Sequence, residues 1–247
     1  MRIKEKAIAT LIHFSASLLV ILIFIYILRT HWYPEPFFSA SGGIQGLKLV
    51  FLVDLVLGPL LTFVVFQRSK TFWAKTIDFS FILTLQLSAF VWGVNAVYQQ
   101  RPVAIVFWDD QFFTVPDQVL LQHYKDHPVY ENLHNSTSIP IIYAKKPENM
   151  AEYRPMMQRI RERNIAPHHQ LELYQEFKLN YDAVKPYSMN IDQQDITTKN
   201  QIEEFSRQNN SQSDDNLFFT LKSKYQNIVL AFNKEGDLIG HIKFTHN

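Results

Sequence analysis

The chain has 247 residues, a formal net charge of +1 and no cysteine. The absence of thiols excludes disulfides, thiolate metal sites and cysteine nucleophiles. Residues 1–100 hold eight Lys and Arg against four Asp and Glu, whereas residues 101–247 hold sixteen against nineteen. Neither half is basic enough to indicate a nucleic-acid partner. The break in composition near Arg101 predicts two domains, 1–100 and 101–247.

Three apolar stretches of the first half are long enough to cross a bilayer, which takes about 20 residues of helix. They cover residues 8–28, 47–66 and 77–97. Buried helices of a soluble core are the alternative, but such helices are usually shorter. A cleaved signal peptide is the alternative for the first stretch, but its apolar run exceeds the usual length of about 7–15 residues and no A-x-A-like site follows promptly. We therefore expect three transmembrane helices, the first an uncleaved anchor.

Flanking charges predict the orientation of these spans, because cytoplasmic loops carry an excess of Lys and Arg. The N-terminal tail and the second loop carry three basic residues each, and the outer segments carry only Arg29 and Arg101. The N-terminus is therefore predicted to be cytoplasmic and the C-terminal half periplasmic, in a bacterial inner membrane. Aromatic residues support the outer boundary, among them Trp32 and Tyr33 after the first span.

The second span combines Asp54 with a Gly58-Pro59 pair. A carboxylate near the middle of a membrane costs about 2.5–3.5 kcal/mol and normally faces other helices. We expect it about 10 Å below the outer surface, at 1.5 Å per residue, with Gln86, Ser88 and Asn95 of the third span as hydrogen-bonding candidates. Pro59 removes one backbone hydrogen bond and should kink the helix. Gly58 should let a neighbouring helix approach, at the small residues Ala89 and Gly93.

The C-terminal half reads as one α+β domain with antiparallel strands. Its apolar runs predict a tight hairpin, a further strand and a C-terminal three-stranded meander, and two helices lie between them. The second helix should open with a capping box at Thr198–Gln201 and end at Phe205. The first should bury Met150, Tyr153, Met157 and Ile160. The predicted ranges are Val103–Trp108 and Phe112–Val115 around a turn at Asp109–Gln111, Pro140–Ala144, Pro147–Arg163, and Leu217–Leu221, Asn227–Phe232 and Asp237–Phe244.

Catalytic signatures are absent from the sequence, which contains no G-x-S-x-G, P-loop or G-x-G-x-x-G. His123 and His127 have the i, i+4 spacing of a zinc helix but lack its glutamate, and Pro128 interrupts the helix. His168 and His169 follow a proline in a predicted loop and are interpreted as surface residues. We therefore expect no catalytic residue, no metal and no cofactor.

A series of local motifs carries a family resemblance. HWYPEPF at His31–Phe37 follows the first span and contains Trp32, Tyr33 and Pro34. DLVLGPLLT at Asp54–Thr62 lies in the second, and RPVAIVF at Arg101–Phe107 is followed by Asp110. This order resembles the TfpX/TfpZ-type type IV pilin accessory proteins over about residues 1–115. Gln111 stands where that family usually has arginine, so a role for an Asp-Arg pair at the hairpin does not transfer.

The resemblance implies an inner-membrane, chaperone-like accessory factor that acts on a cognate type IV major pilin and is not an enzyme. Inner-membrane parts of the pilus assembly machinery are further partners it suggests. A membrane-anchored pilin-modifying enzyme and a membrane sensor are the alternative functions. The residues expected to contact the pilin or to position the two domains are Asp54, Gly58, Pro59, Gln86, Trp32, Tyr33, Pro34, Arg101, Pro102 and Asp110.

Overall fold

A computed structural model of the protein describes residues 2–65, 71–209 and 215–243. The chain forms two compact units. Residues Met1–Phe38 and Gly42–Arg101 make the first, and residues Ser39–Ser41 with Pro102–Asn247 make the second.

The first unit is helical. It consists of α1 (Arg2–Ile27), a π-helical turn (Leu28–Trp32), α3 (Gly43–Phe51), a second π-helical turn (Leu52–Leu57), α4 (Gly58–Val65) and α5 (Phe72–Gln99). The short helix α2 (Phe37–Ala40) begins in this unit, and its last two residues, Ser39 and Ala40, belong to the second unit.

Three continuous helical runs in this unit are long and apolar enough to cross a membrane. They cover Ile3–Trp32, Gly43–Val65 and Phe72–Gln99, so the prediction of three long apolar helices is confirmed and each run is longer than expected within the described residues. The last predicted residue of the second run, Phe66, lies outside the described residues. α1 packs on α4, and α5 packs on α3 and α4. The second run therefore forms the centre of the bundle.

Many large apolar side chains of the first unit point outward, including Leu19, Leu22 and Val91. Soluble proteins rarely expose a contiguous apolar surface of this extent. In a lipid environment such a surface has no hydrophobic penalty, because lipid tails are as apolar as leucine.

The second unit is built on one seven-stranded sheet with the strand order β4-β3-β1-β2-β5-β6-β7. The strands are β1 (Pro102–Trp108), β2 (Gln111–Pro116), β3 (Ile141–Ala144), β4 (Tyr174–Glu176), β5 (Leu217–Lys222), β6 (Ile228–Phe232) and β7 (Leu238–Lys243).

The predicted hairpin and C-terminal meander are both present in this sheet. The expectation of antiparallel strands holds for four of the pairings but is wrong for two, because β3 pairs with β1 in parallel and β5 pairs with β2 in parallel. Parallel neighbours need long crossover connections. The helices between β2 and β3 lie in the connection from β1 to β3, and the helices between β2 and β5 lie in the connection from β2 to β5. Phe244, the last residue predicted in the meander, lies outside the described residues.

The apolar run of β1 fills both faces of the sheet. Ala104 and Val106 belong to a core cluster with Leu120 and Tyr130 on one side. On the other side the ring of Phe107 lies 5.0 Å from that of Phe112. A strand that is buried on both faces carries a continuous apolar run rather than an alternating one, which explains the sequence of β1.

Two short helices follow the hairpin, α6 (Asp117–Tyr124) and α7 (Pro128–His134). His123 lies in α6 and His127 caps α7 by accepting the amide of Val129, so the two histidines lie on different elements. The buried Asp117 carboxylate joins the two helices. Its Oδ1 accepts the Tyr130 hydroxyl at 3.2 Å and lies 2.9 Å from His134 Nδ1.

The two longer helices of this unit begin at other residues than predicted. α8 (Met150–Arg163) starts after Asn149, whose side chain accepts two backbone amides, and it buries Met156 rather than Met150 and Tyr153. The short helix α9 covers Tyr181–Val184.

α10 (Ile196–Gln208) is capped by Asp195, which accepts the amides of Thr197 and Thr198. The Thr198 capping box is therefore wrong, because the preceding aspartate already holds the free amides of the first turn. Short 3₁₀ turns fill the remaining connections, at Pro167–His169, Leu171–Leu173, Lys178–Asn180, Lys185–Tyr187 and Ile191–Gln193.

Candidate functional site

A cavity of about 580 Å³ opens between α1 and α5 in the first unit, and we call it the α1/α5 groove. Each helix contributes one face in which lining residues recur at three- and four-residue spacing, from Ala9 to Val20 and from Phe79 to Phe90. Each face is therefore three turns, or about 16 Å, long. Asp54 of the second run also lines the groove. The lining residues of α1 are Ala9, Ile12, His13, Ala16, Ser17 and Val20; those of α5 are Phe79, Ile82, Leu83, Gln86, Leu87 and Phe90.

Asp54 is the twelfth of the 23 residues in the run Gly43–Val65, so it lies about 16 Å from either end at 1.5 Å per residue. This distance is larger than the predicted distance of about 10 Å, because the run begins four residues earlier than expected. Only 6% of the surface of Asp54 is exposed. The carboxylate has no hydrogen-bond or ion-pair partner among the residues that the structure describes.

The backbone around Asp54 is a π-helical turn, Leu52–Leu57, that ends at Gly58. The amide of Gly58 donates to the carbonyl of Val53, five residues back. Pro59 has no amide hydrogen, so the regular α-helical ladder is interrupted at this point. The sequence predicted a kink at Pro59, and the structure has a π turn directly before it, a feature frequent at functional sites.

Gly58 leaves the space that the Gln86 side chain occupies. A Cβ atom at Gly58 would lie 1.9 Å from Gln86 Nε2 and 3.1 Å from His13 Nε2. The expected approach of Gly58 to Ala89 and Gly93 is wrong, because a polar side chain rather than a small-residue face fills this space.

A polar cluster of His13, Thr62 and Gln86 lies beside the groove. His13 Nδ1 is 2.6 Å from Thr62 Oγ1, and the imidazole also hydrogen bonds with the Gln86 side chain. Of the three partners expected for Asp54, only Gln86 lines the groove, since Ser88 and Asn95 are exposed on other faces of α5.

Sequence reasoning missed His13, although a histidine inside an otherwise apolar span is a detectable signal. Thr62 and Gln86 thus hydrogen bond with His13, whereas the Asp54 carboxylate faces the groove.

Trp32 and Tyr33 hold the ends of α1 and α5 together. The Tyr33 side chain is fully buried and its hydroxyl donates to the Val97 carbonyl at 2.8 Å. The ring of Trp32 lies 4.9 Å from that of Tyr98. Pro34 follows directly, and its carbonyl accepts the amide of Phe37. These three residues therefore have packing roles within the first unit.

Arg101, Pro102 and Asp110 do not form one cluster. Arg101 is buried, with its guanidinium 3.7 Å from the centre of the Tyr98 ring and donating to the Tyr98 carbonyl. Pro102 is the first residue of β1, whereas Asp110 is exposed in the turn after its last residue. The seven residues of β1 separate them by about 20 Å.

The hairpin turn itself consists of Asp109 and Asp110, because Gln111 already pairs with Trp108. Asp109 adopts φ 65°, the left-handed region that aspartate tolerates in turns. Its carboxylate pairs with Lys146 on the surface.

His168 and His169 are half-buried, so their interpretation as surface residues was wrong. The His168 ring stacks on Phe113 with centroids 4.1 Å apart. Burial, together with the neighbouring His169, lowers the pKa of His168 to about 3. Burial, together with His123, lowers the pKa of His169 to about 4. Among the described ranges, no three His, Asp or Glu side chains lie close enough to hold a metal ion.

The structure has three apolar helical runs long enough to span a membrane, with the Asp54 carboxylate in the middle of the second. A domain with a mixed sheet follows them in the chain. Together these features indicate a membrane protein. Three fimbrial assembly proteins of Dichelobacter nodosus are similar to the chain over 96 residues, or 39% of its length. The serogroup I protein is 41% identical, and the serogroup E1 and the serogroups C1 and C2 proteins are each 40% identical.

The match spans 73% of the serogroups C1 and C2 protein, so the chain belongs to the family of these fimbrial assembly proteins. It spans only 37% of the serogroup I and serogroup E1 proteins, well under half of their length. No protein-family model matches the chain, and no solved structure matches it.

Proposed function

We propose that the protein is an inner-membrane accessory factor of type IV pilus assembly, of the TfpX/TfpZ type, that acts on a cognate major pilin. The observation that carries the proposal is the similarity to three fimbrial assembly proteins, combined with three helical runs of membrane-spanning length. A pilin waits in the membrane with an apolar helix in the bilayer and a globular head outside it. A protein with three spans and a sheet domain suits a partner of that form.

The proposed topology has a cytoplasmic N-terminus, three spans and a periplasmic sheet domain. The basic residues support it, since they alternate three, one, three, one along the tail and the following segments. In this arrangement the spans bind the pilin helix, and the sheet domain, whose hairpin turn exposes Asp110, is available to the pilin head.

We further propose that the protein acts by binding and not by catalysis, as a modulator of pilin stability, assembly or retraction. A deletion strain tests both parts. Surface pili and twitching motility should fall while prepilin processing stays normal, and the mass of the remaining pilin should be unchanged. Normal pilus number would overturn the accessory role, and a change in pilin mass would favour a modifying enzyme instead.

A further inference from the structure

We propose that the α1/α5 groove is the seat of a single apolar helix of the partner, which presents a hydrogen-bond donor to Asp54. This inference rests on the proposed function for the identity of the helix, which is that of the pilin. The chemistry of the occupant, in contrast, follows from the groove itself.

The shape of the groove suits a helix. Its two walls are helical faces of three turns each, from Ala9 to Val20 and from Phe79 to Phe90, and Asp54 of the second run lies between them. The wall formed by α1 carries the small residues Ala9, Ala16 and Ser17. Small side chains on one face let another helix backbone approach closely in a membrane.

The carboxyl group of Asp54 determines which apolar occupants the groove favours. Asp54 is nine-tenths buried, lines the groove and has no partner among the described residues. An unpaired carboxyl group at this depth is costly, so an occupant that supplies a donor is favoured over one that does not. A lipid acyl chain supplies none. A helix with a hydroxyl, a protonated carboxyl or an amine at mid-bilayer supplies one.

The polar cluster of His13, Thr62 and Gln86 is hydrogen bonded internally, so Asp54 is the carboxyl group of the lining that is left to bind the occupant. His13 pairs with Thr62 and with Gln86. Ser17 also lines the groove and can add a second hydrogen bond to an incoming helix.

Site-specific photocrosslinking in living cells tests the seat with the full chain. p-Benzoylphenylalanine replaces Phe79, which lines the groove, or Phe81, which is exposed on the same helix outside the groove. We expect the probe at Phe79 to capture the transmembrane helix of the pilin, mapped by mass spectrometry, with at least ten times the yield of the probe at Phe81.

Two variants in the Phe79 background test the role of the groove. Asp54→Leu removes the hydrogen-bond acceptor. Ser17→Phe places a large ring in the groove from α1 and leaves residue 54 an aspartate. Each should lower the yield at least fivefold. Asp78→Asn is the control, because it removes a carboxylate of α5 that does not line the groove, and it should leave the yield unchanged. Unfolding in detergent shows whether each variant is folded.

Equal yields at Phe79 and Phe81, or adducts of lipid alone or of a second copy of this chain, would overturn the inference. If deletion lowers piliation but the probe at Phe79 captures only lipid, the proposed function is supported and the proposal that the groove binds a helix is refuted. An Asp54-dependent capture of a helix from a protein outside the pilus system would keep the seat and refute the proposed partner.

Discussion

Replacing Gly58 by alanine should destabilise the helical unit through a clash with Gln86. The new Cβ would lie 1.9 Å from Gln86 Nε2 and 2.8 Å from its Cδ, so the amide must leave its position. Overpacking of this kind costs about 1–3 kcal/mol, and the lost hydrogen bond to His13 costs about 0.5–1.5 kcal/mol. Alanine recovers about 0.5–1 kcal/mol of helix propensity over glycine. The net loss is therefore about 2 kcal/mol, within limits of about 0.5 and 4 kcal/mol.

Gly93→Ala is the matched control, because its Cβ would meet Val50 Cγ2 at 3.5 Å, an ordinary contact. That variant should be neutral or slightly more stable than the wild type. In the double variant Gly58→Ala/Gln86→Ala the clash disappears, so the two changes should couple by at least about 1 kcal/mol.

Unfolding of the purified full chain in mixed micelles, with rising denaturing detergent and circular dichroism as the readout, is measured for five proteins. They are the wild type, Gly58→Ala, Gln86→Ala, the double variant and Gly93→Ala. If Gly58→Ala and Gly93→Ala have equal effects, or if the coupling is zero, Gln86 does not occupy the space beside Gly58.

Three further changes have defined outcomes. Tyr33→Phe removes the bond to the Val97 carbonyl and should lower the free energy of unfolding by about 1 kcal/mol in the same micelle assay; an unchanged value would contradict that bond. Asn149→Ala removes the cap of α8 and should cost about 1 kcal/mol on thermal unfolding; no change would put the start of the helix elsewhere. The depressed pKa values of His168 and His169 mean that the folded protein binds fewer protons than the unfolded one below about pH 6.5. The stability of the sheet unit should thus be full above pH 6.5 and fall as the pH drops toward 4, and His168→Phe should flatten that decline; an equal slope in the variant would refute this assignment.

The sequence predicted the helical unit well because length and apolarity decide whether a helix can span a membrane, and both can be counted. The hairpin and the meander were equally accessible, since their partners are neighbours in the chain. The parallel pairings of β1 with β3 and of β2 with β5 were missed, because nothing local in a short strand specifies a distant partner. The start of α10 was missed because Thr198 was interpreted as the cap, whereas the side chain of Asp195 accepts the amides of the first turn.

The candidate site was predicted in part. Asp54, Gly58 and Gln86 were identified from their polarity or size within apolar runs, and the structure places them around one groove or beside it. His13 was overlooked, because hydropathy averaged over a span hides one polar residue. Which polar side chains pair with each other, and which one is left facing a cavity, depends on the rotation of each helix about its axis. Periodicity alone does not determine that rotation.

Complementation of a deletion strain tests the central claim most directly. Wild type, Asp54→Leu and Asp78→Asn are expressed to equal levels in the membrane, and surface pili are counted by electron microscopy. We expect the wild type and Asp78→Asn to restore pili, whereas Asp54→Leu should restore few or none. Full restoration by Asp54→Leu would contradict the claim that this carboxylate and its groove serve pilus assembly.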